Sequence, residues 1–311
     1  MNHDNVQRGD RTSTAMGLAA ILFWSATIAV SRSLAEQVGA LTAAACMLSA
    51  GGALGCAYLA VRGRFAAMLR LPRAYLAGCG FCFVAYMACL YTAIGLATSR
   101  QQTIEVGIIN YLWPGLTLVL AVPILGLKVR AGFWIGAVLA LAGVAIAPLR
   151  WGEYSPAALV EALRAAPAPY ALALVAAILW ALYSVLSRRL GGRGEGGAVP
   201  LFTLASGAVL AAMCLAMPEE SHWTGRAVGE TLFMAVFPIL IAYAMWDRAM
   251  RRGRVTLVAA FSYAIPLLST LISSVYLGVD VGWNLWLACA LVAGGAALCQ
   301  GSVLKPHDVQ A

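Results

Sequence analysis

The chain has 311 residues, 62% of them hydrophobic and only 11% charged, with a formal net charge of +8. A soluble domain carries about 25% charged residues, so this chain lacks the polar surface to face water and reads as a membrane protein. Its Lys and Arg lie in short stretches between apolar blocks, where orientation signals belong, so the positive charge predicts contact with membrane lipids and no nucleic-acid partner.

The apolar blocks predict ten spanning helices, since each is long enough for the ~20 residues that a helix needs to cross a bilayer. They run approximately over 14–36, 40–61, 74–97, 103–125, 131–149, 168–188, 198–217, 228–249, 255–277 and 282–301. The apolar/polar alternation of a β-barrel is missing, so the fold class is an all-α membrane protein. The first block follows Arg8 and Arg11 as a signal peptide would, but it runs too long and nine similar blocks follow.

Taken in order, residues 1–13 read as a cytoplasmic tail, and span 1 carries Phe23, Trp24 and Thr27. Span 3 holds Tyr86 and Cys79-x-x-Cys82. That spacing has no second pair and no embedded His beside it, so these cysteines and the other six read as small packing residues. In span 4, Asn110, Trp113 and Thr117 fall on one helix face, with Pro114 beside them. The stretch 150–167 reads as a periplasmic linker, in which Leu159, Val160 and Leu163 suggest a short interfacial helix. Span 6 puts Trp180, Tyr183 and Ser184 on one face, and span 8 carries Tyr243 and Trp246. Asp247 stands near the end of span 8, four residues before Arg251, as an i, i+4 ion pair would. Span 9 holds Ser262, Tyr263 and Pro266, and 302–311 is a second cytoplasmic tail.

With the N-terminus inside, sixteen Lys and Arg fall on the inner side and five (Arg32, Arg100, Arg150, Arg164 and Arg226) on the outer side. This asymmetry predicts that both termini are cytoplasmic, in a bacterial inner membrane.

The chain also repeats itself. Trp24 followed by Ser31-Arg32-Ser33-Leu34 matches Trp180 followed by Ser187-Arg188-Arg189-Leu190. Tyr111-Leu112-Trp113-Pro114 matches Tyr263-Ala264-Ile265-Pro266, and at the same offset Gly126 meets Gly278, Trp134 meets Trp286 and Gly143 meets Gly295. Two halves of five spans, 14–149 and 168–301, follow from this. An odd span count inserts the second half upside down, a common construction of secondary transporters.

These features resemble the drug/metabolite transporter superfamily with its EamA-like halves, and within it the YddG-type aromatic amino-acid exporters. The resemblance implies a monomeric carrier that exports small metabolites, aromatic amino acids first among them, by alternating access.

The residues independently suggest where a substrate sits. Pro114 and Pro266 fall inside their spans and deny a hydrogen bond to the carbonyls of Asn110 and Ser262, which predicts a hinge and a polar acceptor in each half. Trp24, Trp113 and Trp180 stand near mid-span, away from the interfaces where Trp normally collects. With Phe23, Thr27, Tyr86, Tyr183, Ser184, Tyr243 and Tyr263, they outline a pocket for a flat apolar group. Acids are absent from mid-span, Glu105 being near the outer end of span 4, so proton exchange and export down a gradient both stay open. Arg32, near the outer end of span 1, either snorkels or meets a carboxylate.

His3, His222 and His307 lie in loops or tails, and no Lys is at mid-span. An embedded protease, a buried His-ligated metal and a Schiff base are thereby excluded, so no enzyme, cofactor or metal is expected. Nothing in the sequence suggests the carbonyl or charged ring of a channel filter. Export of cationic or lipophilic drugs is the first alternative, although such a pocket calls for an acid among the aromatics, and a channel is the second.

Overall fold

The computed structural model describes residues 3–98, 106–107, 109–146, 157, 164, 166–191, 197–277 and 283–304. Among these, every regular element is a helix, and the one pairing of extended backbone is a bridge between Val129 and Val303. The interfacial helix expected over 159–163, Glu105 and the side chain of Arg32 lie outside the described residues.

The helices are α1 (His3–Ser25), α2 (Thr27–Val38), α3 (Ala40–Val61), α4 (Phe65–Leu69), α5 (Gly80–Leu96), α6 (Trp113–Leu125) and α7 (Ala131–Ile146). The second part of the chain adds α8 (Pro167–Leu190), α9 (Val199–Ala216), α10 (Gly225–Met234), α11 (Ala242–Arg252), α12 (Val255–Phe261), α13 (Ala264–Leu277) and α14 (Trp283–Gly301). A π-helical turn, Tyr75–Cys79, leads into α5, and a second, Ala235–Ile241, joins α10 to α11. Pro238 inside the second turn has no N–H to continue an α-helical ladder, which accounts for the bulge there.

Five stretches are long and apolar enough to cross a membrane: Ala40–Val61, Tyr75–Leu96, Pro167–Leu190, Val199–Ala216 and Gly225–Arg252. Shorter apolar helices accompany them at Trp113–Leu125, Ala131–Gly143, Val255–Ser269 and Trp286–Cys299. The chain is a multi-pass membrane protein.

Small residues set how these helices meet. α3 lies along α9 and α7 along α14, in the two most extensive contacts of the bundle. A methyl group on Gly136 would strike the Gly295 carbonyl at 2.7 Å, and one on Gly143 would strike the Ala288 carbonyl at 2.9 Å. Moving up α7 therefore means moving down α14, so the two run antiparallel, backbone against backbone. Gly52 against Leu204 and Gly207 against Ser49 show the same reversed order for α3 and α9. Without a hydrophobic drive between helices in lipid, such close approach is what gives van der Waals contact its strength. α5 packs along α8 and α1 along α11, and these four helices frame the centre.

Three interruptions shape that centre. Between α1 and α2, Ser25 Oγ donates to the Ile21 carbonyl and Thr27 Oγ1 to the Trp24 carbonyl, each at 2.7 Å. Hydroxyls that bond back to the helix in this way bend it. The prolines of spans 4 and 9 do more than kink. The chain turns at Tyr111–Leu112 and again at Ser262–Tyr263, and Pro114 and Pro266 sit in the first turns of new helices, α6 and α13. That position suits proline, because a first-turn residue needs no N–H partner.

Candidate substrate site

Four tryptophans meet at the centre: Trp24 from α1, Trp113 from α6, Trp180 from α8 and Trp246 from α11. Trp24 contacts Trp180 at 5.5 Å and Trp246 at 5.2 Å between ring centroids, and Trp113 contacts Trp246 edge-on at 5.4 Å. Tyr86 tilts over Trp180 at 4.7 Å, while Phe83 and Tyr243 complete the group at 5.9 and 5.5 Å from the same ring. Each pair contributes about 0.5–1.5 kcal/mol beyond the area that it buries. Two of the indole N–H groups are used inside the protein: Trp24 Nε1 donates to the Pro238 carbonyl at 3.0 Å and Trp246 Nε1 to Ser184 Oγ at 3.1 Å.

The two sides of this cluster differ. On the side away from the basic loops stand phenols, Tyr86 and Tyr243 with Tyr91 and Tyr111 near them. Tyr91, Tyr111, Tyr243 and Trp24 are only partly buried, although they lie within apolar stretches of the chain. The Tyr86 phenol adjoins Asn110, which is 8% exposed and whose Oδ1 has no hydrogen-bond partner among the described residues. One turn on, Pro114 has no N–H to offer the Asn110 carbonyl.

On the other side, buried charges and phenols pair with one another. Asp247 and Arg251, both on α11, pair at 3.2 Å with side chains 3% and 2% exposed. Asp247 Oδ1 accepts from the hydroxyls of Tyr75, at 3.0 Å, and Tyr183, at 3.4 Å. Arg251 donates to the Gly191 carbonyl at 2.8 Å, and Arg188 ties α8 to the carbonyls of Arg251 and Gly253.

Of the residues predicted from sequence, Trp24, Tyr86, Asn110, Trp113, Trp180, Tyr183 and Tyr243 come together here. Ser184 comes with them, but as the acceptor for Trp246. Phe23 turns instead to Phe237, with centroids 6.0 Å apart, and the Thr27 hydroxyl is spent on the Trp24 carbonyl. Ser262 and Tyr263 stand apart. The expected free acceptor at Ser262 is already taken by the Ile265 N–H at 3.0 Å, and the Ser262 hydroxyl donates to the Val258 carbonyl. Tyr263 packs with Phe133, Leu118 and Cys299 in a second cluster.

Sequence reading missed Phe83 and gave Trp246 no role, and it read the Asp247–Arg251 pair only as an ion pair at a helix end. The i, i+4 spacing carries the pairing but says nothing of the phenols that bury it. The cysteines are all free, and the described residues contain no cluster of side chains able to hold a metal ion.

The sequence profile of the EamA-like transporter family matches twice, over residues 12–147 and 168–299. The chain belongs to this family. It is one of transporters, not enzymes. The transporter is 32% identical over 292 residues to the aromatic amino acid exporter YddG of Escherichia coli (strain K12), covering 92% of this chain and 96% of that one. It is 34% identical over 296 residues to the aromatic amino acid exporter YddG of Ancylobacter novellus, at the same coverage. A solved crystal structure aligns with a TM-score of 0.77 at 31% identity, again over 92% of this chain and 96% of that one.

Proposed function

We propose that this transporter exports aromatic amino acids across the bacterial inner membrane by alternating access. The observation that carries the reading is the convergence of four indoles and several phenols from separate helices on one central point. Such a cluster receives a flat ring by edge-to-face and offset contacts. The unpartnered Asn110 Oδ1 and the phenols beside it suit the polar end of a zwitterion, and the names of the similar exporters fit the same substrate class.

Ten spans in two inverted halves, 14–149 and 168–301, form the frame of this reading, with 150–167 as periplasmic linker and both termini cytoplasmic. In support, the contacts of Gly136 with Gly295 and of Gly143 with Ala288 exchange with one another when the halves are interchanged at the offset of the repeat, and the helices involved run antiparallel. Spans 3 and 8 share a π-helical turn, and spans 4 and 9 share an interruption just before a proline. Pro114 and Pro266 serve as the hinges about which the halves rock, and the protein works as a monomer.

Export of cationic drugs is less well supported, because Asp247, the acid next to Trp246 in the chain, is already paired with Arg251. The test is efflux from cells loaded with labelled Phe, Trp and Lys. Faster loss of Phe and Trp than in cells lacking the protein, with Lys unaffected, is the expected result. Preferential Lys efflux would refute the aromatic pocket.

A further inference from the structure

The cluster on the basic side of the indoles is built as a gate. We propose that Asp247, Arg251, Tyr75 and Tyr183 form the cytoplasmic latch of the transport cycle, closed in this structure, whose opening admits substrate from inside. The proposal rests on the exporter reading and on the cytoplasmic orientation of the basic loops.

The latch lies where two helix pairs meet. Tyr75, at the entry to α5, and Tyr183, on α8, belong to one pair, and Asp247 and Arg251 belong to α11, which packs along α1. The Ala198 N–H donates to the Tyr75 hydroxyl at 3.2 Å, so the start of α9 is drawn in as well. One carboxylate thus gathers three further chain segments at one point. Tyr183 touches Trp180 at 5.3 Å and Phe83 at 5.2 Å, and Trp246 directly precedes Asp247, so a ring entering the cluster presses on the latch.

The way the charges are distributed suits a contact that opens and closes. Asp247 and Arg251 are one turn apart on the same helix, so they stay paired when α11 moves away from α5 and α8. No lone charge is stranded, which is what makes breaking most buried ion pairs so costly. The bonds that do break are those of Asp247 to two phenols and of Arg251 to the Gly191 carbonyl, and water that enters through the opening replaces them.

Burial follows the same gradient. Trp24 and Tyr243, on the far side of the cluster, are partly exposed, while Trp246, Tyr183 and Tyr75 on the latch side are fully buried. The cluster is thus better covered on the latch side than on the far side.

Native cysteines report on this directly. Cys79 is fully buried one turn after Tyr75, with Sγ 4.0 Å from Ser187 Oγ on α8. Cys299 is equally buried, in the second cluster. Two proteins are needed, each retaining one of these cysteines and lacking the other seven. They are labelled with a membrane-impermeant maleimide in inside-out and right-side-out vesicles, with and without Tyr75→Phe, which removes only the hydroxyl.

The expected result is an increase of about tenfold in Cys79 labelling from the cytoplasmic face, the scale of one hydrogen bond to a charged group, with Cys299 unchanged. Unchanged Cys79 labelling from both faces would overturn the latch, and so would a parallel rise at Cys299, which marks general loosening. A rise from the periplasmic face alone would keep the latch and overturn the orientation. If added Trp leaves wild-type labelling unaltered, the substrate reading fails while the Tyr75→Phe comparison still decides the latch.

Discussion

Two ion pairs on the stretch from α10 to α11 share one spacing and differ in everything else. Arg226 and Glu230 pair at 2.7 Å with side chains 60% and 13% exposed. Asp247 and Arg251, at the other end, pair at 3.2 Å with side chains almost fully buried. In the first pair Arg226 reaches outward while Glu230 also accepts from Ser33 and Gln37, and an ion pair with an exposed partner contributes about 0.2–1 kcal/mol. The buried pair has no water to fall back on, so each partner depends on the other and on the phenols and carbonyl around them. The spacing i, i+4 brings two side chains together, but burial decides what their meeting is worth.

Removing one buried partner has the largest expected effect. Arg251→Ala leaves Asp247 an uncompensated charge and is expected to cost about 3–5 kcal/mol of stability in detergent. Arg251→Ala combined with Asp247→Ala is expected to be less destabilised than Arg251→Ala alone. Equal loss in both would mean that burial of charge is not what matters there. Asn110→Leu tests the opposite kind of polar atom, an Oδ1 with no hydrogen-bond partner among the described residues. Export of Phe is expected to weaken by an amount equivalent to about 1–3 kcal/mol of substrate binding, with thermal stability unchanged or raised, because no internal bond of Oδ1 is lost.

Smaller effects separate the two hinges. Pro114→Ala supplies the N–H that proline withholds from the Asn110 carbonyl and favours one continuous helix, so export is expected to fall severalfold at unchanged expression. Pro266→Ala is expected to do less, since the Ser262 carbonyl already has the Ile265 N–H. Equal effects would mean that the two interruptions act alike despite this difference. Arg226→Ala, at the exposed pair, is expected to change stability by no more than about 1 kcal/mol.

Much of the fold was legible because hydropathy and helix length are linked by the thickness of the bilayer. Helix periodicity put Trp180 and Tyr183 on one face, where their rings touch, and spacing alone paired Asp247 with Arg251. What stayed hidden depended on partners far away in the chain. Nothing local distinguishes Ser184, which accepts from Trp246, from a serine that awaits substrate. Ser262 and Asn110 each precede a proline by four residues, yet one carbonyl is taken by its own backbone and the other residue faces the phenols. The repeat made the two positions look equivalent, while tertiary packing made them different. Phe23 was misplaced for a related reason, since its helix is interrupted three residues later at Ala26 and its ring meets Phe237.

A saturable, alternating site at the indole cluster must support counterflow of aromatic amino acids. Purified protein is reconstituted in vesicles loaded with unlabelled Trp, and uptake of labelled Phe from outside is followed, with Lys-loaded vesicles as control. Transient accumulation of Phe driven by internal Trp, absent with internal Lys and lost in Trp180→Ala, is the result that the account predicts. Equal Phe uptake whatever the vesicles contain, or accumulation that persists in Trp180→Ala, would contradict it.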